Sequence, residues 1–480
     1  MSSTGRRSRR SFLKGAAATG VATSLAGCTL GQVTGPSGSG TVVQFVADSG
    51  AKGVSDAIND ALHNAGLPGD ISVEILAVPS TTAQQQYSQW LAAGLEQPSL
   101  FRMDSGWTIP FIVRDQVVNL SEEMPDLASR AEENFFQASM ETLTGRDGGI
   151  HGIPFFSDFG LILYRKDLVE QAGFDPSGWA TSPISWKEFA QVTKRTKEQA
   201  GTTYGFSFQA PVAEALSCCT FNEWMTTWGG SYFGAKENLV NNVGERPVTV
   251  DAEPSVTASR MARTFILGED DPHALDGMPG NIAPQAVLGW NYQSSLSAFM
   301  DGDAVTHRNW PYSVLAAGAE EAFGENLGVM PMPYGVSPEE AQFDGMGGSC
   351  SALGGWNVTL NPNAKHPDAA KEVLRAMSTD SFYLRMMEEM GYVPPKPNLV
   401  TSQQAKSIDV VSRYVDTLKY AGEHAVPRPV SVVWPRESPR ISQSVSATIS
   451  GEQAPGPALQ DLKRTLVDIE NSAAETRRQN

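Results

Sequence analysis

Short apolar runs alternate with amphipathic stretches along the chain from residue 41 onward. The runs at 42–46 and 72–78 flank a stretch near 54–65 whose apolar residues have helical spacing. Strand, helix and strand within about 35 residues form a βαβ unit, which predicts a sheet with parallel strand pairs and helices on its faces. The pattern therefore predicts an α/β fold.

Two aspartates follow short apolar segments of this pattern. Asp104 comes directly after a strand predicted at 100–103, and Asp158 ends a segment at 149–158 that glycine and proline punctuate. Ligands of open α/β sheets gather beyond the carboxyl ends of strands, so Asp104 lies where a site is expected. The punctuation before Asp158 suits a chain that crosses between two lobes.

Aromatic residues occur in segments with loop character. Trp310 and Tyr312 flank a proline that fixes the backbone, Trp356 follows two glycines, and Arg428 stands between two prolines in a rigid extended loop. Trp290 and Tyr292 also stand two apart, on a helix predicted over 285–300, and point about 200° away from each other. A role for that second pair stays open.

The first 27 residues have the pattern of a secretory leader. They carry five positive charges and no acidic residue, followed by a short apolar run of small residues at 15–27. The segment Ser8–Lys14 resembles the twin-arginine export signal, and Leu25–Cys28 resembles a lipobox. We expect cleavage before Cys28, acylation of its sulfur, and a flexible Gly/Ser-rich linker over 28–40.

Composition narrows the class of protein further. The chain has 480 residues, 41% of them apolar, which at roughly 100 to 200 residues per domain suits two to four folded units. Its net charge is −17, and loss of a leader with five positive residues and no acidic one makes it −22. With no basic cluster outside the leader, nucleic acid is not expected as a partner.

Cysteine and histidine usage gives no sign of a metal or cofactor site. Cys218, Cys219 and Cys350 remain after the leader, and both a bridge from one of the pair to Cys350 and buried free thiols are open. The six histidines lack the spacing of zinc ligands. We expect neither a metal nor a cofactor.

The order of these features resembles the extracellular solute-binding proteins of sugar ABC importers, family 1, and most of all the trehalose/maltose-binding branch. The resemblance extends over essentially the whole chain after the leader. The segments that carry it are 87–95, 149–154, 164–168, 299–304, 309–312, 354–356 and 427–429.

The resemblance implies two α/β lobes, each a mixed sheet flanked by helices, joined by a hinge with several crossings. We assign residues 41–152 and 309–358 to lobe 1, and residues 153–308 and 359–480 to lobe 2. A sugar would be held in the interlobe cleft, and closure around it would favour the form that docks on a membrane permease.

A pyranose has an apolar face and a rim of hydroxyl groups, so its binder needs flat aromatic walls with charged donors and acceptors. The resemblance implies walls from Trp310, Tyr312 and Trp356, and acceptors from Asp104 and Asp158. It implies that the planar guanidinium group of Arg428 donates hydrogen bonds to ring or hydroxyl oxygens of the sugar, and that Gly355 lets the sugar approach the backbone. The resemblance implies a sugar contact for Glu214 less strongly, because Ala213 and Ala215 stand where the family often has the tyrosine and glycine of Tyr-Glu-Gly-Leu.

The resemblance also implies partners and a location. We expect a sugar ligand, permease subunits with an associated ATPase, a monomeric chain, and a lipid anchor on Cys28 at the outer face of the cell membrane. We do not expect an enzyme. The alternative is a secreted glycoside hydrolase in which Asp104 and Asp158 flank the scissile bond.

Overall fold

The structure is a computed structural model that describes residues 40–240 and 243–479. The predicted leader, Cys28 and all of the predicted linker except Gly40 lie outside the described residues. Within the described ranges, no helix combines the length and apolar character needed to cross a bilayer.

Within residues 40–240 and 243–479 the strands fall into two larger sheets and a short pair. In chain order they are β1 Thr41–Ala47, β2 Ile71–Ala77, β3 Leu100–Asp104, β4 Ile153–Phe156, β5 Leu161–Arg165, β6 Tyr204–Ser207, β7 Ala304–Asn309, β8 Leu327–Met330, β9 Ser351–Leu353, β10 Trp356–Leu360 and β11 Ala425–Pro427.

The first sheet has the strand order β2-β1-β3-β10-β4. Strand β1 is parallel to β2 and β3, which confirms the predicted βαβ unit, and β10 runs antiparallel to β3 and β4. The second sheet has the order β6-β7-β5-β8, and β11 pairs with β9 in parallel. Each larger sheet is thus mixed, as predicted.

Helices cover these sheets. They are α1 Ser49–Gly53, α2 Ser55–Asn64, α3 Ser80–Ala92, α4 Ile109–Ile112, α5 Leu120–Glu123, α6 Pro125–Asn134, α7 Gln137–Glu141, α8 Lys166–Gln171, α9 Trp186–Ala200, α10 Phe221–Thr227, α11 Glu253–Leu267, α12 Tyr292–Met300, α13 Tyr312–Ala317, α14 Pro367–Met377, α15 Asp380–Met390, α16 Pro397–Val400, α17 Val415–Glu423, α18 Trp434–Ile449 and α19 Pro455–Gln479.

Local chemistry explains where several helices begin. The Ser185 hydroxyl accepts a hydrogen bond from the Glu188 amide and so caps α9. The helix predicted over 285–300 is divided, because Asn291 forms a capping box with Ser294 and starts α12 at Tyr292. Only a short 3₁₀ turn precedes it, at Gln285–Leu288.

The predicted lobe boundaries are wrong in two places. Residues 309–358 were assigned to lobe 1, but β8 pairs with β5 in the second sheet, and within this range β10 is the strand that joins the first sheet. Helices α14 and α15, assigned to lobe 2, pack instead in the core of the first sheet, where Val373 and Phe382 are fully buried. Helical periodicity marks an apolar face but does not identify the sheet that covers it.

The C-terminal helices α18 and α19 belong to the second lobe. Arg246 lies fully buried between Glu470 of α19, at 2.7 Å, and Glu437 of α18, at 3.3 Å. Its guanidinium group is 3.5 Å from the ring centroid of Phe233. This buried cluster ties both helices to the loop that carries Arg246.

The pairing of Cys218 with Cys219 differs from both alternatives that the sequence left open. Cys218 and Cys219 are bonded to each other, within the π-helical turn Leu216–Thr220. Cys350 is a buried free thiol whose Sγ lies 2.9 Å from the carbonyl oxygen of Gly347. A bridge to Cys350 is therefore wrong, because Cys218 and Cys219 are bonded to each other. Buried free thiols are likewise wrong for this pair and confirmed for Cys350.

Candidate functional site

The carboxyl end of β3 lies beside the start of β10. Because these strands are antiparallel, Asp104 at the end of β3 is directly opposite Trp356 at the start of β10. On its other side Trp356 pairs with Phe156, the last residue of β4. Strand register thus brings Asp104 and Trp356 together although 252 positions separate them in the sequence.

Arg428 reaches Asp104 from the segment after β11. Its Nη2 donates to Asp104 Oδ1 and lies 3.3 Å from the hydroxyl of Ser105. The amide of Gly106 donates to the same carboxylate oxygen at 2.7 Å. A Cβ atom at Gly106 would lie 2.3 Å from Arg428 Nε, so glycine leaves the space that the guanidinium group occupies.

The Asp104 carboxyl group is buried, and its environment opposes ionisation. Burial raises the pKa of Asp104, whereas the charge of Arg428 and the Gly106 amide lower it and the charge of Glu214 raises it. Glu214 completes this group, with its Oε1 at 3.5 Å from Arg428 Nη1 and 3.3 Å from the indole nitrogen of Trp434. The Glu214 side chain is about half exposed, at 49%.

Asp158 lies on the crossing from the first sheet to the second. Its backbone carbonyl accepts a hydrogen bond from the Gly354 amide at 2.7 Å. Burial raises the pKa of Asp158 well above its usual range, while the charge of Arg308 lowers it and that of Asp104 raises it. A Cβ atom at Gly354 would lie 3.1 Å from the Trp310 ring and 3.3 Å from Asp158 Cβ, so these residues are immediate neighbours.

Trp310 and Tyr312 follow the end of β7. The Asn309 side-chain oxygen accepts the Trp310 amide hydrogen at 2.9 Å, which fixes the turn out of the strand. Trp310 is 7% exposed, and its ring centroid is 6.1 Å from that of Tyr292. Burial raises the pKa of Tyr312 to about 12, with a hydrogen bond to Asn309 opposing the rise.

Trp356 is already covered in part by the protein. The guanidinium carbon of Arg102 lies 3.9 Å from its ring centroid, and Trp107 meets it edge-on at 6.2 Å. Arg102 is itself paired with Asp48 at 2.6 Å. The indole is thus held between neighbours while remaining partly exposed.

Gly355 has a structural requirement of its own. Its φ of 96° lies in the region that favours glycine, and a Cβ atom would be 2.6 Å from the carbonyl oxygen of Phe156. The protein's own backbone therefore demands glycine here. Close approach of a ligand to Gly355 stays a prediction.

The structure brings the predicted residues into one region and adds others. Asp104, Glu214 and Arg428 are in direct contact, and Tyr292 is the added aromatic neighbour of Trp310. Trp290 instead packs edge-on against Tyr204, at 5.5 Å. Sequence reasoning missed Arg308, although a charged residue immediately before the Asn-Trp-Pro-Tyr segment was the available signal.

Three comparisons with known proteins bear on this arrangement. The family described as "Bacterial extracellular solute-binding protein" matches residues 67–381. A "Probable ABC transporter-binding protein" of Deinococcus radiodurans is 26% identical over 438 residues, which cover 88% of this chain and 93% of that protein.

Two solved structures share the fold. "Maltose bound T. maritima MalE3" has a TM-score of 0.72 and 23% identity, and the match covers 89% of this chain and 99% of that one. A solute-binding protein of Thermotoga lettingae bound with alpha-D-tagatose has a TM-score of 0.70 and 18% identity, with coverage of 90% and 100%. These matches confirm the predicted two-lobed fold.

The match over residues 67–381 spans well over half of the chain. The protein belongs to the bacterial extracellular solute-binding protein family. It is a solute-binding protein that acts outside the cytoplasm, as predicted from the sequence.

Proposed function

We propose that the protein is the carbohydrate-binding component of an ABC importer. It captures a sugar, a di- or oligosaccharide such as trehalose or maltose, and delivers it unchanged to a membrane permease with an associated ATPase. The observation that carries the proposal is the convergence of Asp104, Asp158 and Arg428 with the indole rings of Trp310 and Trp356.

The chemistry of these groups suits a sugar. Indole rings offer flat apolar surfaces to the C–H face of a pyranose, and the carboxyl groups of Asp104 and Asp158 offer oxygen atoms to its hydroxyls. Arg428 offers donors, since its Nε is buried without a hydrogen-bond partner in the described residues. The names of the structural neighbours, which include maltose and tagatose, support the same ligand class.

The proposal includes a place for the protein. A lipid on Cys28 and the linker over 28–40 would tether a monomer to the outer face of the membrane, within reach of the permease. The Deinococcus relative, named as a transporter-binding protein, supports the permease as partner.

One observation favours the hydrolase as a second candidate. Burial raises the pKa of both Asp104 and Asp158, and a glycosidase needs one carboxyl group that stays protonated near neutral pH. Against this role, Asp104 is engaged by Arg428, and the family is one of binding proteins. Capture without chemistry is therefore our first proposal.

Calorimetric titration of the full chain with trehalose, maltose, maltotriose and glucose tests the proposal, with chromatography of the sugars afterwards. We expect stoichiometric binding and unaltered sugar. Asp158→Asn and Trp356→Ala should abolish binding with nearly unchanged melting temperature, whereas Trp90→Ala, in a half-buried indole that stacks on Tyr87 at 6.1 Å, should bind normally. Release of glucose from a disaccharide would favour the hydrolase, and unfolding of both site variants would show that these are core positions.

A further inference from the structure

A fully buried ion pair lies directly behind the aromatic wall of the proposed site. Arg308 of β7 and Glu223 of α10 are 1% and 0% exposed. The guanidinium group donates twice to one carboxylate, from Nε to Oε2 at 2.8 Å and from Nη2 to Oε1 at 2.5 Å. Two parallel bonds of this kind fix the plane of the guanidinium group as well as its position.

Glu223 and Arg308 contact the segments that carry the proposed sugar-binding residues. Glu223 Oε1 also accepts the amide hydrogen of Ala352, in β9, at 3.2 Å. A Cβ atom at Gly160, two residues after Asp158, would lie only 1.8 Å from Glu223 Oε1 and 2.9 Å from Arg308 Nη2. The chain crossing after Asp158 therefore contacts the ion pair directly.

The guanidinium group faces the residues that we assign to sugar contact. Its carbon is 4.2 Å from the ring centroid of Trp310, the geometry of a cation–π contact. Its charge also opposes the rise that burial causes in the pKa of Asp158. One buried cation thus acts on both an aromatic wall and an acidic acceptor.

Arg308 is linked to the neighbouring helix as well. Its backbone carbonyl accepts from Gln209 Nε2 at 2.9 Å, and the same nitrogen lies 2.7 Å from the Ser295 hydroxyl of α12. Helix α12 begins with Tyr292, whose ring adjoins Trp310. The ion pair therefore lies at the junction of the segments that present Trp310, Tyr292 and Asp158.

A buried ion pair contributes little net stability, because desolvation of both charges offsets their attraction. We propose that Glu223 and Arg308 are positioning residues of the sugar site. They hold the Trp310 indole face-on and keep a cation beside Asp158, so that sugar affinity depends on them although neither touches the sugar. This inference rests on the proposed function.

The test uses Arg308→Lys in the full chain, with Arg246→Lys as the matched control. Lysine keeps the positive charge, but it cannot form the two parallel hydrogen bonds to Glu223 and has no planar group to lie over the Trp310 ring. The Arg246 guanidinium group is likewise buried, paired with a glutamate and 3.5 Å from an aromatic ring centroid, but it lies in the cluster that fixes the C-terminal helices. Affinity is measured by calorimetry with the sugar that the unaltered chain binds, together with the change in indole fluorescence on its addition.

We expect Arg308→Lys to weaken binding at least tenfold and to reduce the fluorescence change. Arg246→Lys should lower the melting temperature about as much as Arg308→Lys does, but it should keep the affinity within twofold. If Arg308→Lys fails to fold, Glu223→Gln serves instead, because the glutamine side chain keeps one oxygen acceptor for Arg308. We expect Glu223→Gln to weaken binding at least fivefold.

Three results would overturn the inference. Binding within twofold by a folded Arg308→Lys or Glu223→Gln would show that the pair is structural only, while leaving the sugar-binding proposal intact. An equal loss of affinity in Arg246→Lys would attribute the effect to general destabilisation. Absence of sugar binding by the unaltered chain would overturn both the proposed function and this inference.

Discussion

Lowering the pH is expected to destabilise the protein through one buried imidazole, His307 of β7. Its Nε2 lies 2.9 Å from Asn309 Nδ2, which can only donate, so Nε2 accepts and Nδ1 carries the proton. Nδ1 lies 2.8 Å from the Ser207 hydroxyl and 3.1 Å from the Ser207 carbonyl oxygen. The folded protein therefore requires the neutral ring.

The magnitude follows from the pKa of His307. Burial lowers it from 6.5 to about 3, opposed by a hydrogen bond with the Ser207 backbone and aided by the charge of Arg308. The unfolded chain binds a proton at a higher pH than the folded chain does, so the stabilisation is present above pH 6.5 and is lost as the pH falls towards 3. Between pH 7 and pH 4 the free energy of unfolding should fall by about 3 kcal/mol from this residue.

Other buried groups act in the opposite direction. The pKa values of Asp158 and Glu223 are raised in the folded protein. Each carboxyl group therefore contributes less to the free energy of unfolding as the pH rises through its folded-state pKa. The total pH dependence therefore does not isolate the imidazole. A comparison of the unaltered chain with His307→Gln does, because both chains share the carboxyl groups.

Urea denaturation followed by tryptophan fluorescence at pH 7 and pH 4 measures the difference. The unaltered chain should lose about 3 kcal/mol more than His307→Gln over this interval. His424→Gln, at an exposed position, should behave like the unaltered chain. Equal losses in the unaltered chain and His307→Gln would refute the assignment of acid sensitivity to His307.

Three further predictions concern a thiol, a glycine and export. Alkylation in denaturant without reductant should label Cys350 but not Cys218 or Cys219, and mass spectrometry of labelled peptides at either of the latter would contradict the adjacent disulfide. Gly355→Ala should lower stability by about 1–3 kcal/mol, because of the positive φ and the close backbone oxygen, as thermal unfolding would show. Replacement of the two arginines at 9 and 10 by lysine should retain the protein inside the cell, and unchanged secretion would overturn the twin-arginine prediction.

Local pattern was enough to predict several strands, among them the strand that ends at Asp104 of the candidate site. The alternation of 42–46 and 72–78 gave β1 and β2, and the apolar run at 100–103 placed Asp104 at the end of β3. Glycine and proline marked the segments around Trp310 and Trp356. These features depend on side-chain periodicity and turn chemistry, which act over a few residues.

Tertiary structure alone decided how distant segments combine. The ion pair of Asp104 with Arg428 joins positions 324 apart, and that of Glu223 with Arg308 joins positions 85 apart. The assignment of β8 to the second sheet and of α14 to the first likewise follows from packing. An apolar face specifies that it must be buried, but the partner that buries it depends on the shape and charge of the whole fold, and so on contacts that no short stretch of sequence contains.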